Sequence, residues 1–357
     1  MIRAIPSALR VRAALGLRPL AAPVMLFIPL GFALGPRGIG VLSASTLSHM
    51  DVVVSIALAT LGVFIGIAAG TEGRVVRRLA AASTVEAGAT VAIVGGAVYL
   101  LLRAWEMPLE LSPLAVALVL GICASASSAP VTAPKVASRV ADLDDVGPIV
   151  AGAVVLALLT PGGLAPLASA VITGIAGIGA GAAGWLLFDR VEGAERNVLV
   201  LGTLALIGGC AAYVDASPLF AGLAAGWFWA VAPGHADRIV ADDLQRVQHP
   251  LVVLVLIVAG AALTPSAAGL WLLAPYVVFR VAGKLVGGWI ASRIAPGVAP
   301  SDLGAFLISP GVIGVAFALN VEQVAPGSAG AIAFAASAGA IVSELLAVVV
   351  APEPART

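Results

Sequence analysis

Charge is scarce in this chain. Asp, Glu, Lys and Arg make up only 11% of its 357 residues, whereas a soluble domain devotes about 25% to covering its surface. A water-facing globule of this size is therefore excluded. The few charges balance, 19 basic against 19 acidic with three His, so neither nucleic acid nor an acidic partner is implied. Cysteine is almost missing. Cys123 and Cys210 each stand in an apolar run and are read as small core residues, not as a disulfide or a metal site. There is no His/Cys cluster, catalytic triad or nucleotide-binding loop. No catalytic residue, metal ligand or cofactor is assigned, and the chain is not read as an enzyme. The period-2 alternation of an outer-membrane barrel is absent too. Residues 1–19 carry Arg3, Arg10, Arg12 and Arg18 without a small-residue cleavage site. They are expected to form a basic cytoplasmic lead-in, not a removed signal peptide.

What the chain has is apolar length. Hydrophobic residues reach 61%, with 41 Gly and 23 Pro. Repeated runs of about 18 to 25 apolar residues match a hydrocarbon core about 30 Å thick, and abundant small residues suit helices that approach closely in a bilayer. Polar breaks divide the chain into twelve expected spans: 20–40, 51–70, 79–102, 112–134, 147–160, 166–187, 197–213, 218–233, 250–264, 269–292, 302–320 and 328–350. The expected fold is an all-α polytopic membrane protein. With both termini in the cytoplasm, every basic residue except Arg37, Arg103, Arg280 and Lys284 falls on the inside, as the positive-inside rule requires. Gly234 to His249 is polar and is expected to be an exposed linker. The halves are drawn as 20–187 and 188–350, with 351–357 a cytoplasmic tail.

Three features carry chemistry. The fourth span ends GICASASSAPVTAPKVAS, where Ser125, Ser127, Ser128 and Thr132 are interleaved with Pro130 and Pro134. Proline removes a backbone donor, and broken backbone at membrane depth is tolerated where it lines a cavity. The eleventh span has a counterpart in Ser309, Pro310 and Gly311. Paired breaks in corresponding positions of two halves point to a transporter's binding site; the plain alternative is two proline kinks. Third, Arg280 and Lys284 lie i,i+4 on one face of the tenth span. Counted from Arg293 at 1.5 Å per residue, they sit about 20 and 13 Å deep. Lys284 could snorkel, whereas Arg280 is too deep to do so easily and is expected to have a buried role. Glu86 in the third span and Glu344 in the twelfth are candidate partners, Glu344 equally an interfacial carboxylate. Asp51 and Asp215 are expected to be solvated, and the GIAGIGAGAAG repeat of the sixth span to serve packing.

Taken in order, these segments resemble the monovalent cation/proton antiporter superfamily. FIPLGFALGPRGIGVL is similar to its Gly-Pro-ended first helix and LATLGVFIGIAAGTE to its second. SASSAPVTAP resembles the Thr/Ser-Ser-Pro break. ASPLFAGLAAGWFWA and HPLVVLVLIVAGAAL resemble later helices, and FRVAGKLVGGWIASRI resembles the helix bearing a buried Arg/Lys pair. ISPGVIGVAFAL and IVSELLAVVVAP resemble the last two. The resemblance implies inverted repeats, two crossed discontinuous helices, a homodimer, and a midplane site for a monovalent cation and a proton.

One departure stands out. The family carries an Asp halfway along the fifth span, and the equivalent window, Ala157 to Thr160, has none. Counting back from Pro148 puts Asp142, Asp144 and Asp145 in the cytoplasmic loop with Lys135 and Arg139. Sliding the helix to bring Asp144 and Asp145 to mid-membrane would draw Arg139 into lipid. The expected ion site is then Ser127, Ser128, Thr132, Thr160 and Ser309 with Glu86, Arg280 and Lys284, flanked by the breaks at Pro130, Pro134, Pro310 and Gly311. Three functions stay open. One is a Na⁺ or K⁺/proton antiporter with an altered site. Another is an anion or organic-acid carrier on the same fold. The third is a transport-inactive homologue serving as sensor or assembly partner. The expected location is the plasma membrane.

Overall fold

The computed structural model describes residues 22–70, 76–105, 109–130, 133–159, 166–188, 190–191, 193–295, 300–325 and 329–350. The lead-in 1–19, the tail 351–357, Thr132 and Thr160 lie outside these residues. Helices dominate, in the order α1 (Pro23–Leu34), α2 (Ala44–Gly70), α3 (Val76–Trp105), α4 (Pro113–Ser125), α5 (Lys135–Asp144), α6 (Val146–Leu159) and α7 (Pro166–Phe188). There follow α8 (Gly193–Tyr213), α9 (Pro218–Val231), α10 (Ala236–Ala262), α11 (Ala267–Ile294), α12 (Pro300–Phe306), α13 (Val312–Val324) and α14 (Gly330–Val350). Among the described residues α2, α3, α7, α8, α11 and α14 are each long and apolar enough to cross a membrane. Large apolar side chains such as Leu100, Leu167, Ile175 and Val198 face outward, as lipid contact demands. This is a multi-pass helical membrane protein.

Local chemistry starts the helices where the sequence places Ser-Pro. Ser112 Oγ accepts the Ala115 amide and Ser217 Oγ the Phe220 amide, with proline in the first turn of both α4 and α9. A hydroxyl at the cap and a residue without N–H just after it remove two orphan donors. Ser266 caps α11 in the same way, through the Gly269 amide.

Two sets of helices pack together. In one, α2 lies against α9, with α7 and α8 beside them and α10 against α1 and α2. Small residues make the α2–α9 seam: a Cβ at Gly62 or Gly66 would fall on the carbonyl oxygens of Leu219 or Leu223, and one at Gly222 or Gly226 on those of Ala59 or Val63. Backbones this close gain dispersion contacts that lipid cannot supply. The GIAGIGAGAAG repeat of α7 likewise seats Gly177 on Ala221 and Gly181 on Ala225 of α9. In the second set, α3 packs on α4, α5 and α11, α11 on α12 and α14, and α13 on α4 and α14.

Two expectations change here, for residues 236–249 and for Cys210. Residues 236–249 are not an exposed linker but the first part of α10, with Ala236, Val240 and Leu244 buried. The polar residues between these i, i+4, i+8 anchors disguised an amphipathic turn as a loop. The break expected in the fourth span starts at its helix end: α4 stops at Ser125, and residues 126–130 and 133–134 are not helical. Cys210 is exposed, whereas Cys123 is buried, and both are free thiols.

Candidate ion site at the crossing of two broken helices

The site is built around two interruptions. α4 ends at Ser125, α12 ends at Phe306, and the extended segments that follow meet. Ser127 and Pro310 form an isolated antiparallel bridge. The Gly311 amide donates to Ala126 O at 3.2 Å and the Ser128 amide to Ser309 O at 3.0 Å. The last carbonyls of α4 and α12 have no partner within their own helices, and they carry the negative ends of the helix dipoles. α11 brings two cations to them. Arg280 donates through Nη1 to Ile308 O and through Nη2 to Ala126 O, the latter at 3.1 Å, so one guanidinium fastens both breaks. Lys284 donates to Ser125 O.

Lys284 has further partners. Its Nζ lies 3.1 Å from each carboxylate oxygen of Glu86, 3.0 Å from Ser127 Oγ and 3.4 Å from Asp144 Oδ2. Thr90 Oγ1 donates to Glu86 at 3.1 Å and fixes that carboxylate. Glu86, Arg280 and Lys284 are 0% exposed and Asp144 is 1% exposed. Charges so deeply buried are tolerated only when paired or hydrogen-bonded, and here two carboxylates meet Lys284 while two backbone carbonyls meet Arg280.

The position of Asp144 overturns the loop assignment. Helix α5 starts at Lys135 and carries a buried stripe of Ala137, Val140, Ala141 and Asp144, the i, i+3, i+4, i+7 pattern of one helix face. Asp144 ends that stripe inside the bundle, where Ser127 donates to it through both Oγ and its amide. α6 continues outward from Val146. Helical structure thus starts at Lys135 in α5, thirteen residues before Pro148, which itself lies in α6. Arg139 does not follow Asp144 inward, since five residues turn a helix by about 140°, and Arg139 is exposed. Asp142 is exposed as well, while Asp145 Oδ1 is buried without a hydrogen-bond partner. One signal could have found Asp144. Glu86, Asp144 and Lys284 each lie nine residues from a basic residue on their own helix, Arg77, Lys135 and Arg293, about 13 Å along the axis. Three charges at one depth belong together.

The remaining expected residues divide. Ser127 faces the sealed cluster; Ser128, next to it, is exposed. Ser128 Oγ lies 3.0 Å from Ser309 Oγ and donates to Pro310 O at 3.1 Å, while Ser309 Oγ donates to Glu344 at 2.5 Å. Glu344 therefore serves a second, more open group of oxygens. Pro130 lies in the irregular segment, Pro134 caps the start of α5, and Gly311 caps α13. The carbonyls of Ser125, Ala126 and Ile308, which accept from Lys284 and Arg280, are atoms of the candidate site that no residue type could announce.

No family model matches the sequence, and no curated protein matches it. The fold is nevertheless shared with a solved structure, that of the sodium proton antiporter MjNhaP1 from Methanocaldococcus jannaschii at pH 8. The two superpose with a TM-score of 0.63 at 18% identity, over 90% of this chain and 91% of the other. At that identity the likeness shows the fold alone, a sodium/proton antiporter-like helical bundle.

Proposed function

We propose that the chain is a secondary active transporter that exchanges a monovalent cation, Na⁺ or K⁺, for protons. One observation carries this reading: five oxygens, from Glu86, Ser125, Ser127 and Asp144, surround the Lys284 ammonium. An ammonium is itself a monovalent cation, and a cage of carboxylate, hydroxyl and carbonyl oxygens suits a hard alkali ion equally well. In this reading the dissolved ion displaces Lys284, and Glu86 or Asp144 takes the proton when neither cation is present. The site is therefore altered in detail and retains its carboxylates, with Asp144 in the role assigned to the fifth-span Asp.

An anion carrier finds less support, because Arg280 and Lys284 already point at oxygens and offer no open positive face. The resemblance adds the rest of the proposal: inverted repeats, a homodimer, a plasma-membrane location and both termini in the cytoplasm. The test is exchange in proteoliposomes. An imposed Na⁺ or K⁺ gradient should move protons; no pH change with either ion at any pH would leave the transport-inactive reading.

A further inference from the structure

A second cavity lies between α2, α8 and α13, at the end of the bundle away from Arg77, Lys135 and Arg293. It encloses about 360 Å³. Asp51 and Asp215 contribute exposed carboxylates, and Ser55, Asn320 and Gln323 contribute neutral polar groups. Gln323 Nε2 reaches the backbone oxygen of Asp51 at 3.4 Å and its Oδ1 at 3.5 Å, so α13 touches α2 across the opening. Among the described residues no Lys or Arg lines this cavity. Arg37 lines the neighbouring one, which shares Asp51 and adds Glu322.

Asn320 carries the argument. It is 2% exposed, it lines the cavity, and its Oδ1 is buried without a hydrogen-bond partner. An amide oxygen withdrawn from water and left unpaired costs about 1–3 kcal/mol, so such atoms call for an explanation. A neutral donor would satisfy the amide alone. A cation would satisfy the amide and both carboxylates together. The volume exceeds that of a bare alkali ion, so water must supply part of its coordination. Asn320 stands on α13 nine residues beyond Gly311, about 13 Å from the crossing, on the helix that continues directly from the second break.

We propose that this cavity is a second cation site, taking a partly hydrated monovalent cation between Asp51, Asp215 and the Asn320 amide oxygen before or after it occupies the crossing. Its ligand class rests on the cation-exchange reading above. The test is equilibrium binding of radiolabelled thallous ion, a surrogate for K⁺, to the purified full-length protein. Asp51→Asn combined with Asp215→Asn should weaken one class of binding by about tenfold or more, and Asn320→Leu should do the same. Glu86→Gln combined with Asp144→Asn should leave that class intact and remove the other. The Asp pair is exposed, so its substitution keeps the test open even if Asn320→Leu misfolds. Unchanged thallous binding in the Asp51/Asp215 variant would overturn the proposal. Loss of binding there, with no effect of the Glu86/Asp144 variant, would uphold this site and sink the reading of the crossing.

Discussion

Lys284 Nζ sits 3.1 Å from both carboxylate oxygens of Glu86, across the interface between α11 and α3. Gly287, one turn further along α11, permits this approach, since a Cβ there would press on the Glu86 backbone. The pair is wholly buried. Removing Lys284 strands Glu86 in a medium that cannot solvate it, and removing Glu86 leaves Lys284 with Asp144 as its one carboxylate.

Lys284→Gln or Glu86→Gln alone should therefore destabilise the protein by about 3–5 kcal/mol, as for broken buried ion pairs. The double substitution should cost less than the sum of the two, because the Lys284–Glu86 attraction is lost only once, even though Asp144 then loses its Lys284 partner. Thermal unfolding of the four proteins in one detergent checks this. Strict additivity would show that the two side chains are not coupled.

Asp144→Asn and Asp142→Asn separate the cage from its surface neighbour. They differ by two residues in sequence and by burial in the structure. The first should reduce cation-dependent proton movement to the level of empty liposomes; the second should leave it within about twofold of the unsubstituted protein. Equal effects would return Asp144 to the loop in which the sequence first placed it.

Arg280→Lys should loosen the crossing although it keeps the charge. Arg280 spans Ile308 O and Ala126 O with two different nitrogens, and a lysine is a single point donor that cannot reproduce the fork. One of the two carbonyls then loses the guanidinium bond, at about 1–3 kcal/mol for Ile308 O and less for Ala126 O, which keeps the Gly311 amide. The expected readout is a lower unfolding temperature together with faster amide exchange at Ser128 and Gly311. An unfolding temperature equal to that of the unsubstituted protein would show that charge alone holds the breaks.

Gly222→Ala should be far more damaging than Gly202→Ala. A Cβ at Gly222 falls on the Ala59 carbonyl, whereas nothing lies within 4 Å of one at Gly202. The first substitution must push α2 from α9 and should cost about 1–3 kcal/mol or more. The second should stabilise its helix by up to about 1 kcal/mol. Folded yield and unfolding temperature of the two variants decide the point.

Much of this architecture was legible because lipid imposes simple rules. Apolar length located most of the helices, proline and small hydroxyls marked both breaks, and the i,i+4 spacing put Arg280 and Lys284 on one face. Glu86 could be named as a partner because a carboxylate inside an apolar run needs one. Asp144 was hidden by its company: three acids and two basic residues within eleven positions look like a loop. Only the buried stripe from Ala137 to Asp144 distinguishes a helix entering the bundle. The 236–249 segment misled for the same reason. The carbonyl ligands were out of reach, since a backbone oxygen becomes available only where a helix stops, and α4 stops earlier than its composition implies.

The ammonium in the cage is tethered to α11 by its own side chain, which changes how any measured affinity must be read. A covalently attached competitor acts at a high effective concentration that dilution cannot lower. An ion from solution has to outcompete it, so the apparent dissociation constant is the intrinsic one divided by the fraction of time that Lys284 leaves the oxygens free. Weak binding in an assay would then be compatible with a strongly coordinating cage. A lysine that closes its own site can hold it shut between turnovers without any separate gate.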